Sequence, residues 1–403
     1  MHTPQQTWAT IAAQLPAPIP LTAPTAEAIG LVLAEPVVAD RDLPPADRSA
    51  MDGFALRAAD LDGGPVSLRL VGEVAAGESA QIEVLAGTCA RIFTGANLPS
   101  GADSVVMIED ARAVGDDRVD FAGGERAGAN VLHRGEDARQ GDVLVPAGQR
   151  LGAVHLGACA AVGQTEVHVY RKPRVAILTT GLELMDGGAA AAHQIRDSNG
   201  PMLDAALGEA GFPVVLRERV SDDLEAITAC LVTALERADV VVTIGGVSVG
   251  AYDFVPRAVR ATGARLLLHG VAMKPGKPFL CARSTTGQPL FGLPGNPLSA
   301  ATGLHEFVLP ALRRMAGWSE PTCRPLLRGR LRAAITNETG RQRHLPATLA
   351  WTPQGLELAA VVSRSSADLA SAARADGTII VPADVTSVDE GAWVDFRPWS
   401  AWP

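Results

Sequence analysis

Residues 239–253 read DVVVTIGGVSVGAYD. The apolar run DVVVTI predicts a strand, and a glycine-rich loop follows it directly. Glycines let the backbone approach a ligand closely, and successive exposed amides suit an anion. Gly245, Gly246, Ser248 and Gly250 are the candidate cradle. Asp253, at the far end, would repel an anion unless a cation or a hydroxyl stood between them. The loop therefore points to a phosphate accompanied by something cationic.

The segments on either side repeat the pattern. VAILTT (175–180), PVVLRERV (213–220), RLLLHGVAM (265–273) and PFLCAR (278–283) read as strands. SNGPMLDAALGEAG, SDDLEAITACLVTALERA, DFVPRAVRATG and LSAATGLHEFVLPALRRMAG read as helices. This alternation over 171–320 predicts a doubly wound α/β domain on a parallel sheet. TTGLEL, SDD, GGVSVG, KPGKP and LPGNP all follow strands directly. Ligands in such sheets bind at the strand carboxyl ends, so these loops are expected to share one crevice.

Two residue types carry the chemistry there. Of 35 basic residues only Lys172, Lys274 and Lys277 are lysine, and two of these share KPGKP. The prolines and glycine stiffen that turn, and lysine is a point charge suited to phosphate or another oxyanion. A solvated turn is the plainer reading. Glu183, Asp222 and Asp253 supply carboxylates at strand ends, a set that beside phosphate favours Mg²⁺, a hard cation with oxygen ligands. Asp222 is equally readable as a helix N-cap. Pro294, Gly295 and Asn296 of LPGNP read either as a plain turn or as an anion site at a helix start.

The remainder is organised differently. Short alternating strands with many glycines occupy 62–150, and further strand-like runs occupy 323–403. Helical patterns at 1–40 and about 150–170 suggest a helical linking region. The expected division is a discontinuous linking domain (1–47 and 139–171), a small β-rich domain (48–138), the α/β domain (172–322) and a C-terminal β-barrel-like domain (323–403).

Composition narrows the function. With 47% hydrophobic and 20% charged residues, the 403-residue chain can bury several cores. A formal charge of −9 argues against non-specific nucleic-acid binding. The stretch LGAVHLGACAAVG (151–163) is too short to span a bilayer, and MHTPQQTW lacks the basic start of a signal peptide. The five scattered cysteines suggest neither zinc nor a disulfide framework. A cytoplasmic protein without membrane contact is expected.

DLPPADRSAMDGFALR (42–57), RIFTGANLPSGADSVVMIED (91–110), HRGEDARQGDVLVPAGQRL (133–151), VAILTTGLEL, ADVVVTIGGVSVGAYDF, MKPGKPF and FGLPGNPLSA together resemble the MoeA family of molybdopterin molybdenumtransferases, which includes the gephyrin E domain. The resemblance implies transfer of molybdenum from molybdate to adenylylated molybdopterin, with Mg²⁺-dependent release of AMP. It further implies a homodimer with sites shared between subunits, and transient contact with the molybdopterin adenylyltransferase and with recipient molybdoenzymes. Carried over by motif, Asp52, Thr94 and Asp137 come from the β-rich domain. Glu183, Asp222, Asp253, Lys274 and Lys277 come from the α/β domain, and Ser366 from the C-terminal domain. Asp52, Glu183, Asp222 and Asp253 are the expected catalytic groups. Leu182 and Ile244 stand where the family often has an acidic and a small hydroxyl residue. Molybdopterin adenylylation is an alternative, since the α/β domain alone resembles that activity. A non-catalytic carrier or scaffold is another.

Overall fold

The computed structural model describes residues 1–78, 81–189, 191–248, 253–337 and 340–400. At its centre is a six-stranded sheet in the order Val214–Val220, Val175–Thr180, Val240–Ile244, Pro289–Leu293, Leu280–Arg283, Arg265–His269. All five residues of Val240–Ile244 are buried. Successive side chains of a strand point to opposite faces. Val240, Val242 and Ile244 accordingly join one core, with Leu203, Leu207 and Phe307, while Val241 joins another, with Ile227, Leu231 and Val259. Helices therefore cover both faces, as the doubly wound expectation required.

Two details depart from the sequence reading. The first four strands are parallel, but the last two pair antiparallel. Antiparallel neighbours need only a tight turn, whereas parallel ones need a crossover. Here a turn at Ser284–Gln288, closed by Ser284 N donating to Gln288 O at 2.8 Å, makes the reversal. The last helix is not uniform either. Pro297–Gly303 and Leu309–Met315 are α-helical, and Leu304–Val308 between them has π geometry.

The small β-rich domain is a six-stranded sheet in the order Ser104–Met107, Gly53–Leu56, Thr88–Ile92, Val66–Val74, Arg118–Phe121, Ala111–Val114. Its core includes Phe54 packed edge-on against Phe121, with ring centroids 5.8 Å apart. The linking region is less helical than its sequence suggests. Besides Ala153–Ala161 it contains two antiparallel ladders, Pro20–Pro24 with Glu166–Tyr170 and Val37–Val38 with Val143–Val145. The first helix, Pro4–Ala12, sends Trp8 and Ile11 into the α/β core.

Near the C-terminus five strands close a barrel. Gln342–Thr352 pairs with both Gly355–Ala360 and Gly377–Val381, and Leu327–Leu331 and Trp393–Pro398 complete the ring. The barrel is stitched to the α/β domain by a parallel ladder, Met273↔Gln342 and Lys274↔Arg343. All five cysteines are free thiols. Among the described residues no helix is long and apolar enough to cross a membrane.

Two buried histidines lie at the junction between barrel and α/β domain. Burial pushes the His305 imidazole down to about 3, helped by Arg313 and Arg397. Burial pushes His344 down to about 4, against the pull of Glu306. Both are neutral when folded and take up protons near pH 6.5 when unfolded. Their contribution is therefore full above pH 6.5 and is lost as the pH falls from there towards the folded values. Folding stability should drop by about 2 kcal/mol per histidine on going to pH 5. Calorimetric melts between pH 7.5 and 4.5 test this, and an unchanged midpoint across pH 6.5 to 5 would refute it.

Candidate functional site

The loops after the parallel strands line one cavity of ≈ 710 Å³ at the carboxyl edge of the sheet. The glycine loop begins it. Gly245 has φ +90°, and a Cβ there would lie 2.3 Å from the Thr180 carbonyl oxygen. Its N–H donates to Leu293 O at 3.0 Å, which ties the loop to the next strand. Only glycine satisfies both constraints. Gly246, with φ +60°, and Ser248 continue the wall. Gly250 lies outside the described residues.

The ambiguity of Asp222 is resolved by its neighbour. Asp223 caps the helix Leu224–Arg237, accepting from Glu225 N at 3.0 Å and Ala226 N at 2.9 Å. Asp222 turns instead into the cavity, where it accepts from the Thr180 hydroxyl and from Leu182 N, the latter at 3.0 Å. It thereby braces the loop that carries Glu183. Leu182 contributes its amide to that brace, and the residue is 76% exposed. Ile244 is buried in the cavity floor.

Glu183, Asp222 and Asp253 all line this cavity, as do Pro294, Gly295 and Asn296. Among the described residues no group of three or more His, Cys, Asp or Glu forms a preformed metal cage. Mg²⁺ does not ask for one, since it typically takes one or two carboxylates and keeps water and phosphate oxygens.

Lys274 and Lys277 line a second cavity of ≈ 350 Å³. It adjoins the first, with which it shares Pro278, Pro294 and Asn296. One wall is the KPGKP turn, held by Val271 N donating to Lys277 O at 2.9 Å and by the ladder at Lys274. The other wall is the barrel: Arg341, Arg343, His344 and the run Ser363–Ser366. Ser366 closes the join, because Asn296 Nδ2 donates to its Oγ at 2.8 Å and Leu298 N to its carbonyl at 3.1 Å. Among the described residues the lining contains five cationic side chains, Arg364 included, and no carboxylate. Charge of that kind in a small space selects a compact anion.

Asp52, Thr94 and Asp137 line neither cavity. Asp52 and Thr94 do meet: Asp52 Oδ1 accepts from Thr94 N at 2.8 Å and from its hydroxyl at 2.7 Å. These bonds, the amide one foremost, hold the Asp52 carboxyl below its usual range. Asp137 lies on a separate exposed turn, its N–H donating to Leu43 O at 2.9 Å.

Sequence reasoning missed four groups. Asn199 donates from Nδ2 to Gly295 O at 2.6 Å, and its Oδ1 is buried without a partner among the described residues. In the sequence it reads only as part of a helix start. Arg341, Arg343 and Arg364 were silent because arginine is the ordinary cation of this chain.

Comparison with known proteins adds an independent line. Residues 2–163 match the family described as MoeA N-terminal region (domain I and II), 176–314 the probable molybdopterin binding domain, and 328–399 the MoeA C-terminal region (domain IV). Molybdopterin molybdenumtransferase 2 of Mycobacterium tuberculosis is 35% identical over 401 residues, covering 97% of this chain and 98% of that one. Molybdopterin molybdenumtransferase of Staphylococcus aureus is 32% identical, covering 93% and 90%. A crystal structure of the molybdopterin biosynthesis MoeA protein from Pyrococcus horikoshii superposes with a TM-score of 0.83 at 31% identity, covering 99% of each chain.

Proposed function

The chain belongs to the MoeA family, and from that premise we propose that it is a molybdopterin molybdenumtransferase of molybdenum cofactor biosynthesis, with its two adjoining cavities as the two substrate sites. Adenylylated molybdopterin takes the larger cavity, its phosphates against the amides of Gly245 and Gly246. Molybdate, a tetrahedral dianion, takes the smaller one, between Lys274, Lys277 and the barrel arginines. The observation that carries this reading is the shared border at Pro278, Pro294 and Asn296, which brings the anion beside the end of the pterin nucleotide.

Each group then has a task. Asp222 keeps the Glu183 loop in place through Thr180 and Leu182. Asn199 Oδ1 is an acceptor ready for a donor on the bound nucleotide. Ser366 and Asn296 hold the barrel wall against the α/β wall. Glu183 and Asp253, with the outer lone pairs of Asp222, form an oxygen-donor set that fits Mg²⁺ beside phosphate. When bound, that ion supplies charge neutralisation at the phosphates as AMP departs. The protein acts as a cytoplasmic homodimer, in which Asp52, Thr94 and Asp137 of one subunit face the cavities of the other.

Purified protein given adenylylated molybdopterin, Mg²⁺ and molybdate should release AMP and yield active cofactor. Tight binding of both substrates without AMP release would replace this reading with a carrier. Formation of adenylylated molybdopterin from ATP would replace it with the adenylyltransferase.

The lysines give a sharper test. Lys274→Arg or Lys277→Arg keeps the charge but substitutes a planar fork for a compact ammonium in a stiff turn. Molybdate affinity should fall by about tenfold in each, as expected where the two cations are not interchangeable. Titration calorimetry with molybdate reads this directly, and wild-type affinity in both variants would return KPGKP to a surface turn.

A further inference from the structure

Behind the smaller cavity lies a buried charge cluster to which the proposed reaction gives no task. The π segment Leu304–Val308 presents His305 and Glu306 together towards the barrel. His305 stacks on Trp399, with ring centroids 6.0 Å apart. Glu306 is 2% exposed and takes two guanidinium groups. Arg397 Nε donates to its Oε2 at 3.1 Å, and Arg324 Nη2 donates to its Oε1. Arg397 also donates to Pro325 O at 2.9 Å, so the grip reaches the start of the barrel as well as its last strand.

Such a cluster is a poor source of stability. Desolvation of the buried Glu306 and Arg397 and of the partly buried Arg324 offsets most of their attraction, and apolar replacements of similar size often serve as well. Its presence asks for a positional reason, and the barrel register supplies one. Arg397 pairs with Thr378 of Gly377–Val381, and that strand pairs with Gln342–Thr352, which carries Arg343 and His344 into the cavity wall. At the cavity itself the described links between the two walls are the two-residue ladder at Met273–Lys274, Arg341 Nη1 donating to Met273 O at 3.4 Å, and the contacts of Ser366. π segments of this kind recur where a helix is bent to a functional purpose.

We infer that Glu306 is a positioning residue for the oxyanion cavity: by gripping Arg324 and Arg397 it sets the separation between the lysine wall and the barrel wall that carries Arg343 and Ser366. The inference rests on the reading of that cavity as the molybdate site. Glu306 touches neither substrate and acts only through the barrel.

The test uses the full-length protein and two ligands, molybdate for the smaller cavity and AMP for the larger, each titrated calorimetrically. In Glu306→Gln, molybdate affinity should fall by about tenfold, in keeping with the sensitivity of fixed sites to shifts near 1 Å, while AMP affinity stays within about twofold of wild type. Arg324→Met removes one arm at a position whose side chain is 17% exposed, and should weaken molybdate about threefold, again sparing AMP. If Glu306→Gln is insoluble, Arg324→Met decides by the same criterion. Molybdate binding at wild-type strength overturns the inference, however far the melting temperature falls. So does a parallel loss of both ligands, which is what a merely structural role produces. Lys274→Ala separates the two levels. If it weakens molybdate while Glu306→Gln does not, the positioning role alone fails. If it binds molybdate like wild type, the cavity reading fails and the inference with it.

Discussion

Glu183→Gln should lower Mg²⁺-dependent AMP release by about a hundredfold or more, and Asp253→Asn should do the same, as expected when a carboxylate is taken from a small hard-cation site at phosphate. Both side chains line the larger cavity at the ends of different strand loops. Both substitutions keep shape and remove charge, so the fold should be untouched. The diagnostic is the Mg²⁺ dependence. Raising Mg²⁺ should recover part of the lost rate, because the defect lies in holding the ion. Asp222→Asn behaves differently: its oxygens accept from Thr180 and Leu182, so the amide disturbs the loop and added Mg²⁺ should recover little. Full activity of the wild-type protein in excess chelator would sink the Mg²⁺ assignment altogether.

The second large effect concerns assembly. Asp52 and Thr94 form an exposed hydrogen-bonded pair that lines neither cavity of its own chain. If they serve the cavities of a second copy, Asp52→Ala and Asp253→Ala proteins, each inactive alone, complement one another when mixed. In a closed two-fold dimer formed by random pairing about half the dimers are mixed, and each mixed dimer has one site with both native residues. Activity should return to roughly a quarter of wild type. Recovery near zero, with subunit exchange verified by a tagged chain, would place Asp52 outside the partner's site.

What the sequence made legible follows from how local each feature is. The central strands could be read because Val175–Thr180 and Val240–Ile244 are apolar on both faces, as strands between two helical layers must be. Strand direction could not. RLLLH and FLCAR are equally good parallel or antiparallel strands, and only the connections at 270–279 and at Ser284–Gln288 turn the chain back on either side of FLCAR. Barrel closure depends on Gln342–Thr352 pairing with Gly377–Val381, a distant partner that no periodicity announces. The same holds within the site. Gly245 is visible in the sequence as a glycine suited to close approach to a ligand, whereas the close approach the fold makes there is to its own Thr180 O. Asp222 and Asp223 were not separable, since either suits an N-cap, and only the packing against Thr180 distinguishes them. The barrel arginines carried no signal in a chain where 32 of 35 basic residues are arginine.

The ladder between Met273–Lys274 and Gln342–Arg343, with the bond from Val271 N to Lys277 O, means that these backbone stretches of the smaller cavity's walls are fixed by the fold itself, with no ligand present. The conformational entropy of those residues is surrendered during folding, and binding restricts only the tips of a few long side chains. If the cavity takes a tetrahedral oxyanion, as proposed, the choice then rests on its radius and on how readily it sheds water. A closing movement of the protein has little left to contribute.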